Sequence, residues 1–265
     1  MTRKKVCVVM AWGGNSVNLL ALAMKSLDNQ TEPADQKILI SDGFLAPQSI
    51  KSSYPSWQFL TNSSPFRGPA ETRNYGLAFI QNDIEFILIA DADDVSHPDR
   101  IKILKDKIEE LKLDILGSQG VILSPKFRRP GVRIFPFPKM TNNRKKIRKR
   151  LAAKKAPVLS PSVLIRKSLF NSVGLYDSKK LRSEDLDFFI RADKEGMIIG
   201  NIPDVLYGYR HSLFSSHKSF KLDYTWSERR KFSFVFYLLH NLKRIWYCFF
   251  SPIPRKTRRE FESIV

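Results

Sequence analysis

Cysteine is scarce in this chain. Cys7 and Cys248 could form one bridge at most, and a polypeptide of 265 residues does not need it to fold. That scarcity excludes a disulfide-stapled scaffold and makes a reducing compartment the default. Glycine and proline, at 12 and 15 residues, stay near ordinary usage, so collagen-like and low-complexity chains are excluded as well. Long uninterrupted apolar runs are also missing. Phe232 to Phe250 comes nearest, but His240, Asn241, Lys243 and Arg244 sit at its centre. A Lys or Arg there costs roughly 2.5–3.5 kcal/mol on membrane insertion. The opening, Met1 to Lys5 before Val6 to Trp12, imitates a leader peptide. Its apolar run is minimal, rich in β-branched residues and without a small-x-small cleavage site, so an uncleaved first strand is expected. No internal repeat is visible.

What is present in excess is positive charge: 45 Lys and Arg against 26 Asp and Glu, a net +19. Residues 126–155 hold thirteen basic and no acidic side chains, and residues 218–265 hold eleven basic and four acidic. The rest of the chain is nearly neutral. A globular body therefore carries two cationic segments suited to an anionic surface. In the second, a helix over 232–250 would gather Ser233, Tyr237, Asn241 and Arg244 into one polar stripe amid aromatic and aliphatic residues. That pattern lies in a membrane interface rather than crossing it. Pro252 and Pro254 end it, and Arg255, Lys256, Arg258 and Arg259 form a basic tail. The plainer alternative is a helix packed on the body. For residues 126–155, with a cationic helix at Asn142 to Lys155, contact with a phosphorylated acceptor or an anionic bilayer competes with a solvated charge run.

Along the body, Lys5–Met10 and Lys37–Ser41 read as buried strands around a helix at Leu19–Asn29, a βαβ opening. A weak third strand follows at Trp57–Leu60, then a helix at Pro69–Gln81 and a strongly apolar strand at Glu85–Ala90. The pattern continues with a helix at His97–Leu113 and strands at Ile115–Leu123 and Val158–Arg166. A turn at Gly174–Ser178, a helix at Glu184–Gly196 and a last strand near Tyr207 complete it. The expected fold class is α/β, with a mostly parallel central sheet flanked by helices. The domain reading is 1–217 for the body, including the basic insertion, and 218–265 for a C-terminal amphipathic extension.

The most informative stretch is Asp91-Ala92-Asp93-Asp94, directly after the strand Phe86 to Ala90. Three carboxylates within four residues repel one another unless a cation is shared. Oxygen ligands completed by substrate phosphates and water are the usual surroundings of Mg²⁺ or Mn²⁺. Open α/β sheets bind ligands at the C-terminal ends of their strands, which favours this reading over an acidic turn that caps the next helix.

Three neighbouring runs accompany the acidic cluster: Thr72-Arg73-Asn74-Tyr75-Gly76-Leu77, Glu85 to Asp94, and Pro98-Asp99-Arg100. A second block holds Ser162 to Phe170, Val173-Gly174-Leu175-Tyr176-Asp177 and Ser183-Glu184-Asp185-Leu186-Asp187. In order and spacing, about residues 4–217 resemble the family 2 glycosyltransferases of the GT-A fold, of the bacterial lipooligosaccharide or capsule type. The resemblance implies that Asp93 binds the metal and that Asp91 lies beside ribose and metal. It implies that Asp42 accepts a hydrogen bond from a pyrimidine base, that Arg73 reaches base and diphosphate, and that Asp185 is the catalytic base. Glu184 falls on the acceptor side, Ala11 at the nucleotide-sugar end of the first strand, and His211 at a late metal- or phosphate-facing position. Each has an ordinary alternative: an Asp-Gly turn for Asp42, a solvated helical Arg73, helix-end charge for Asp185, a surface histidine for His211.

The chain departs from the family where Ser41-Asp42-Gly43-Phe44 replaces a paired Asp-Asp-Gly-Ser, and where Ala11-Trp12-Gly13-Gly14-Asn15 ends the first strand. The Gln-x-x-Arg-Trp of polymerising members is missing, so single addition is expected. The resulting expectation is a metal-dependent, inverting transfer of one sugar from a nucleoside diphosphate sugar, UDP by preference, to a glycolipid or surface-glycan precursor. The enzyme would work at the cytoplasmic face of the plasma membrane. Two rivals stand beside it: a non-catalytic scaffold that binds nucleotide or glycan, and a basic nucleic-acid-binding protein, which the carboxylate clusters and the lack of a nucleic-acid motif disfavour.

Overall fold

The computed structural model describes residues 3–14, 16–63, 68–125, 132–180, 182–210 and 253–264. The chain divides into two compact units, Met1–Gly120 with Met140–Tyr207, and Val121–Lys139 with Gly208–Val265.

The first unit opens with β1 (Lys5–Trp12), α1 (Val17–Asp28), β2 (Gln36–Asp42), a short α2 (Gln48–Ser53) and β3 (Gln58–Asn62). It continues through α3 (Pro69–Leu77), β4 (Ile84–Asp91), a two-residue β5 (Val95–Ser96) and α4 (Arg100–Glu110). Then come β6 (Ile115–Pro125), α5 (Arg144–Ala152), β8 (Leu164–Arg166), α6 (Leu169–Val173), α7 (Glu184–Lys194) and β9 (Ile199–Arg210), of which β6 from Val121 and β9 from Gly208 count with the second unit. β7 (Val132–Pro136), between β6 and α5 in the chain, belongs to the second unit.

Strands run in the order β3-β2-β1-β4-β8-β6-β9-β5. From β3 to β4 every pairing is parallel, whereas β8 is antiparallel to both β4 and β6. The sheet is thus mixed, its parallel half carrying the expected βαβ opening. Strand alternation divides the core between two faces. Val6, Val8 and Met10 join Leu88 with α1 and α4 on one side; Cys7, Val9, Ile87 and Ile89 join α3, α5 and α7 on the other. Cys7 is a free thiol inside the sheet, and burial raises its pKa.

Two expectations are corrected. The strand predicted at Val158–Arg166 shrinks to β8, because Ser160–Ser162 form a 3-10 turn. Pro161 has no N–H for a ladder. The Ser162 hydroxyl donates to Leu159 O at 2.7 Å and accepts from Ser118 N–H at 3.1 Å. α3 ends at Leu77 rather than Gln81, since the Gln36 side chain takes over the departing backbone, donating to Phe79 O (2.9 Å) and accepting from Gln81 N–H (3.0 Å). The cationic helix expected at Asn142–Lys155 does form, as the shorter α5: Asn143 caps it by accepting the Lys146 N–H, and Ile147 and Leu151 are buried.

In the second unit, Val121–Pro125 pairs antiparallel with β7, and Phe137 meets Tyr209 edge to face at 5.8 Å. The basic tail is also helical, forming α8 (Arg255–Glu262) after Pro254, with Phe261 buried. No helix among the described residues is long and apolar enough to cross a membrane. The amphipathic helix expected at 232–250 lies outside the described residues, as does Cys248.

Candidate active site

The parallel registers align three strand ends. Ala11 pairs with Asp91 on one side and Ile40 on the other, Trp12 with Ser41, and Asp42 with Asn62. Ala11, Asp42 and Asp91 therefore share the C-terminal edge of the sheet, where such sheets hold ligands. Buried Asp42 accepts from Gly68 N–H at 3.2 Å. Gly68 opens α3 at φ +83°, a backbone conformation that glycine adopts without strain. One turn into α3 is Arg73. Further along, Gly76 lets the helix lie against β2, since a Cβ there would stand 2.5 Å from Ile40 Cδ1.

Arg73 is neither solvated nor directed at open space. Its Nη1 donates to Glu184 at 2.6 Å and its Nη2 to Asp91 at 3.0 Å, while the guanidinium lies 5.8 Å from the centre of the Tyr176 ring. Burial opposes its charge, but Asp91, Tyr176 and Glu184 outweigh that and raise its pKa. Glu184 shifts upward too: burial raises it more than Arg73 lowers it, and Asp185 adds to the rise. The bridge joins the acidic end of β4 to the first turn of α7, two blocks far apart in sequence.

α7 presents Glu184, Asp185 and Asp187 in its opening turn, where carboxylates complement the helix dipole. Its N-cap Ser183 takes φ +55°, the left-handed region, which L-residues rarely enter. Asp185 Oδ1 accepts from the Leu186 N–H at 2.7 Å, and the side chain is half-buried beside Glu184. Asn74 and Tyr176 reinforce the same junction. The Asn74 amide donates to Tyr176 O (2.8 Å), and the Tyr176 N–H donates to Asn74 Oδ1 (3.0 Å).

The acidic turn has a second anchor that the sequence did not reveal. Asp91 N–H donates to the buried Tyr207 hydroxyl at 3.4 Å, and that hydroxyl is hydrogen-bonded to Asp94. Burial first, then Asp94 and Asp91, raise the Tyr207 pKa well above its ordinary value. Under its ring, at 4.8 Å, lies the fully buried guanidinium of Arg100. Arg100 donates to Ser96 Oγ (2.9 Å), Ile89 O (2.8 Å) and Pro161 O (2.7 Å). Burial lowers its pKa to about 10, so it remains a cation at neutral pH. Asp91 and Asp94 are thus fixed from inside, and Asp93 between them is half-buried.

Most of the predicted residues meet at one place: Ala11, Asp42, Arg73, Asp91 and Asp93 around the strand ends, Glu184 and Asp185 across the Arg73 bridge. His211 lies outside the described residues. Asn74, Tyr176, Arg100 and Tyr207 were missed as individual residues, although Asn74, Arg100 and Tyr176 stand within the quoted motif runs.

A parallel half with carboxylates at its strand ends, followed by an antiparallel half that returns an acidic helix to them, is the GT-A arrangement of nucleotide-sugar transferases. The family assignment agrees. The model described as glycosyl transferase family 2 matches residues 14–174, more than half of the chain, and the protein belongs to that family. Among solved structures, S. aureus TarS residues 1–349 superpose with a TM-score of 0.59 at 20% identity, covering 78% of this chain and 60% of that one. The same TarS fragment in complex with UDP-GlcNAc gives 0.61 at 19%, covering 81% and 61%. In complex with UDP it gives 0.59 at 21%, covering 78% and 61%. The chain thus spans about three-fifths of that fragment, and at such identities the likeness is one of fold. No curated protein matches the chain significantly.

Proposed function

We propose that the protein transfers a single sugar from a UDP-sugar to a hydroxyl of a glycolipid or surface-glycan precursor, in lipopolysaccharide, lipooligosaccharide or capsule assembly. One observation carries this reading: Arg73 holds Asp91 and Glu184 together, which sets the neighbouring Asp185 beside the acidic edge of the sheet. Asp185 accepts the proton of the acceptor hydroxyl, the oxygen attacks the anomeric carbon, and the bond to the diphosphate breaks as the nucleoside diphosphate leaves. A single displacement inverts that centre.

The residues fit a divalent cation of one kind. The donors at the acidic turn are all oxygen, and Asp91 already receives Arg73. Among the described residues no group of three or more His, Cys, Asp or Glu side chains is arranged to hold a metal. A cation at Asp93 and Asp91 would complete its shell from diphosphate and water, the habit of Mg²⁺ and Mn²⁺. When bound, it supplies positive charge to the leaving diphosphate. Preference for UDP is supported by the TarS complexes with UDP and UDP-GlcNAc. A peripheral position at the cytoplasmic membrane face, through the extension at 218–265, is supported by that segment's basic and aromatic sequence.

Calorimetric titration of UDP with Mn²⁺ and with chelator tests the donor site, and a transfer assay tests the base. Metal-dependent UDP binding is expected in the wild type and not in Asp93→Ala. Asp185→Asn should keep that binding while transfer falls about 10²–10⁴-fold. Transfer at the wild-type rate by Asp185→Asn would remove the mechanism, and absence of UDP binding would remove the donor assignment.

A further inference from the structure

α5 is a helix with two differently employed sides. Ile147 and Leu151 are buried in the core that contains Phe188, Phe189 and Ala192 of α7, so the apolar side is spent on holding α5 against the helix that carries Asp185. The other side presents Arg144, Lys145, Lys146, Arg148 and Lys149 to solvent, with Lys154 and Lys155 following. Among the described residues, the ion pair formed from this side is Arg148 with Asp193 of α7, at 3.3 Å.

This charge is not placed for the helix's own benefit. Arg144, Lys145 and Lys146 occupy the first turn, which has no acidic residue, and cations there oppose the helix dipole. The Arg148 contact fixes where the face lies. Asp193 follows Asp185 by eight positions on α7, about 12 Å along the axis at 1.5 Å per residue. The row of cations is thus anchored at the far end of α7, about 12 Å along that helix from Asp185, a span that an extended chain can cross.

Resting on the transferase reading above, we infer that the exposed face of α5 is a docking surface for a polyanionic acceptor, a chain that carries phosphate groups along its length. Its phosphates lie on Lys145, Lys146 and Lys149 while a hydroxyl of the same chain reaches Asp185. A bilayer is the other anionic surface of this chemistry. Packing against α7 favours the acceptor, because a chain of several phosphates that starts on this face and follows α7 for about 12 Å arrives at Asp185, whereas a bilayer contact needs no such path.

The test uses the full chain with linear inorganic polyphosphate as probe. Lys145→Gln, Lys146→Gln and Lys149→Gln are combined, leaving Asn143, Ile147 and Leu151 in place. Removing cations from the first turn relieves the dipole conflict, so the helix is retained, as circular dichroism will verify. A charge-matched control carries Lys25→Gln, Lys102→Gln and Lys112→Gln, exposed positions on other elements. Polyphosphate affinity is measured from 50 to 200 mM salt, alongside binding to vesicles containing phosphatidylglycerol.

The α5 variant should bind polyphosphate more weakly, with a log K against log salt slope shallower by about 2, as expected when three lysines stop displacing counterions from a single strand. The control should match the wild type. An equal loss in both variants would show that net charge alone is read, overturning the inference. So would an α5 variant that keeps its polyphosphate affinity, or one that loses vesicle binding alone and thereby marks a bilayer contact. UDP titration with Mn²⁺ separates the two levels: unchanged UDP binding in the α5 variant with no polyphosphate effect sinks only the docking face. A wild type that binds no UDP sinks the transferase reading itself.

Discussion

Replacing Arg73 by alanine probes the bridge between the two halves of the site. Arg73 and Glu184 have side chains 9% exposed and stand 2.6 Å apart, so Arg73→Ala strands a buried carboxylate without its cation. Breaking a buried pair from one side costs about 3–5 kcal/mol. Asp91, at 33% exposure, regains water readily, and Glu184 dominates the loss. In a chain of this size each kcal/mol moves Tm by about 2–4 °C, which places the variant about 6–20 °C below the wild type at pH 7.5.

The pH dependence gives the reasoning a second, independent signature. Burial already raises the Glu184 pKa, and Arg73 opposes it. Without Arg73 the folded-state value rises further. A carboxyl that binds its proton more tightly when folded contributes stability at low pH, lost as pH rises through the folded-state pKa. The deficit of Arg73→Ala should therefore shrink as pH falls from 7.5 to 5. Adding Glu184→Gln removes the stranded charge, so the double variant should recover part of the loss, with a coupling energy of at least about 1 kcal/mol. Thermal unfolding at several pH values reads all three effects. A loss below about 1 kcal/mol at pH 7.5, unchanged at pH 5 and additive with Glu184→Gln, would refute the bridge.

Two further substitutions address the packing that aims the site. Tyr207→Phe removes the hydroxyl shared by Asp91 N–H and Asp94, leaving buried polar groups short of a partner at about 1–3 kcal/mol. Denaturant unfolding should show that loss and calorimetry a weaker affinity for UDP with Mn²⁺; wild-type values in both would mean that the hydroxyl holds nothing. Gly76→Ala drives a Cβ to 2.5 Å from Ile40 Cδ1 and should destabilise by about 1–3 kcal/mol. Ile40→Val deletes that methyl but keeps a γ carbon where Ile40 Cγ1 stands at 2.7 Å, so it should return only part of the stability; a double variant no better than Gly76→Ala would place the strain elsewhere.

What the sequence disclosed and what it concealed divide along physical lines. β1, β2 and β4 were legible because each is an apolar run buried on both faces, and α1, α4 and α7 because their apolar spacing is helical. The two-residue β5, the edge strand β7 and the short α2 and α6 were not. Such elements exist through their neighbours, and their own residues carry too few turns or alternations to announce them. The strand expected through Val158 failed on Pro161, a local signal outvoted by the apolar residues around it.

In the site, chemistry carried by residue type was readable: carboxylates at a strand end, a carboxylate pair opening a helix. Partnership was not. Arg73 meets Glu184 across 111 positions and Asp91 meets Tyr207 across 116, and no local pattern encodes either meeting. Arg73 is the instructive case, because the ordinary expectation for a helical arginine is a solvated side chain. Only two carboxylates arriving from β4 and α7 make its burial tolerable, and the same contacts then bind the two halves of the site to each other. A cation that stabilises by this route is most useful where the structure has already brought like charges together. An acidic turn beside an acidic helix is such a place, and its repulsion is what makes a buried arginine there worth its desolvation.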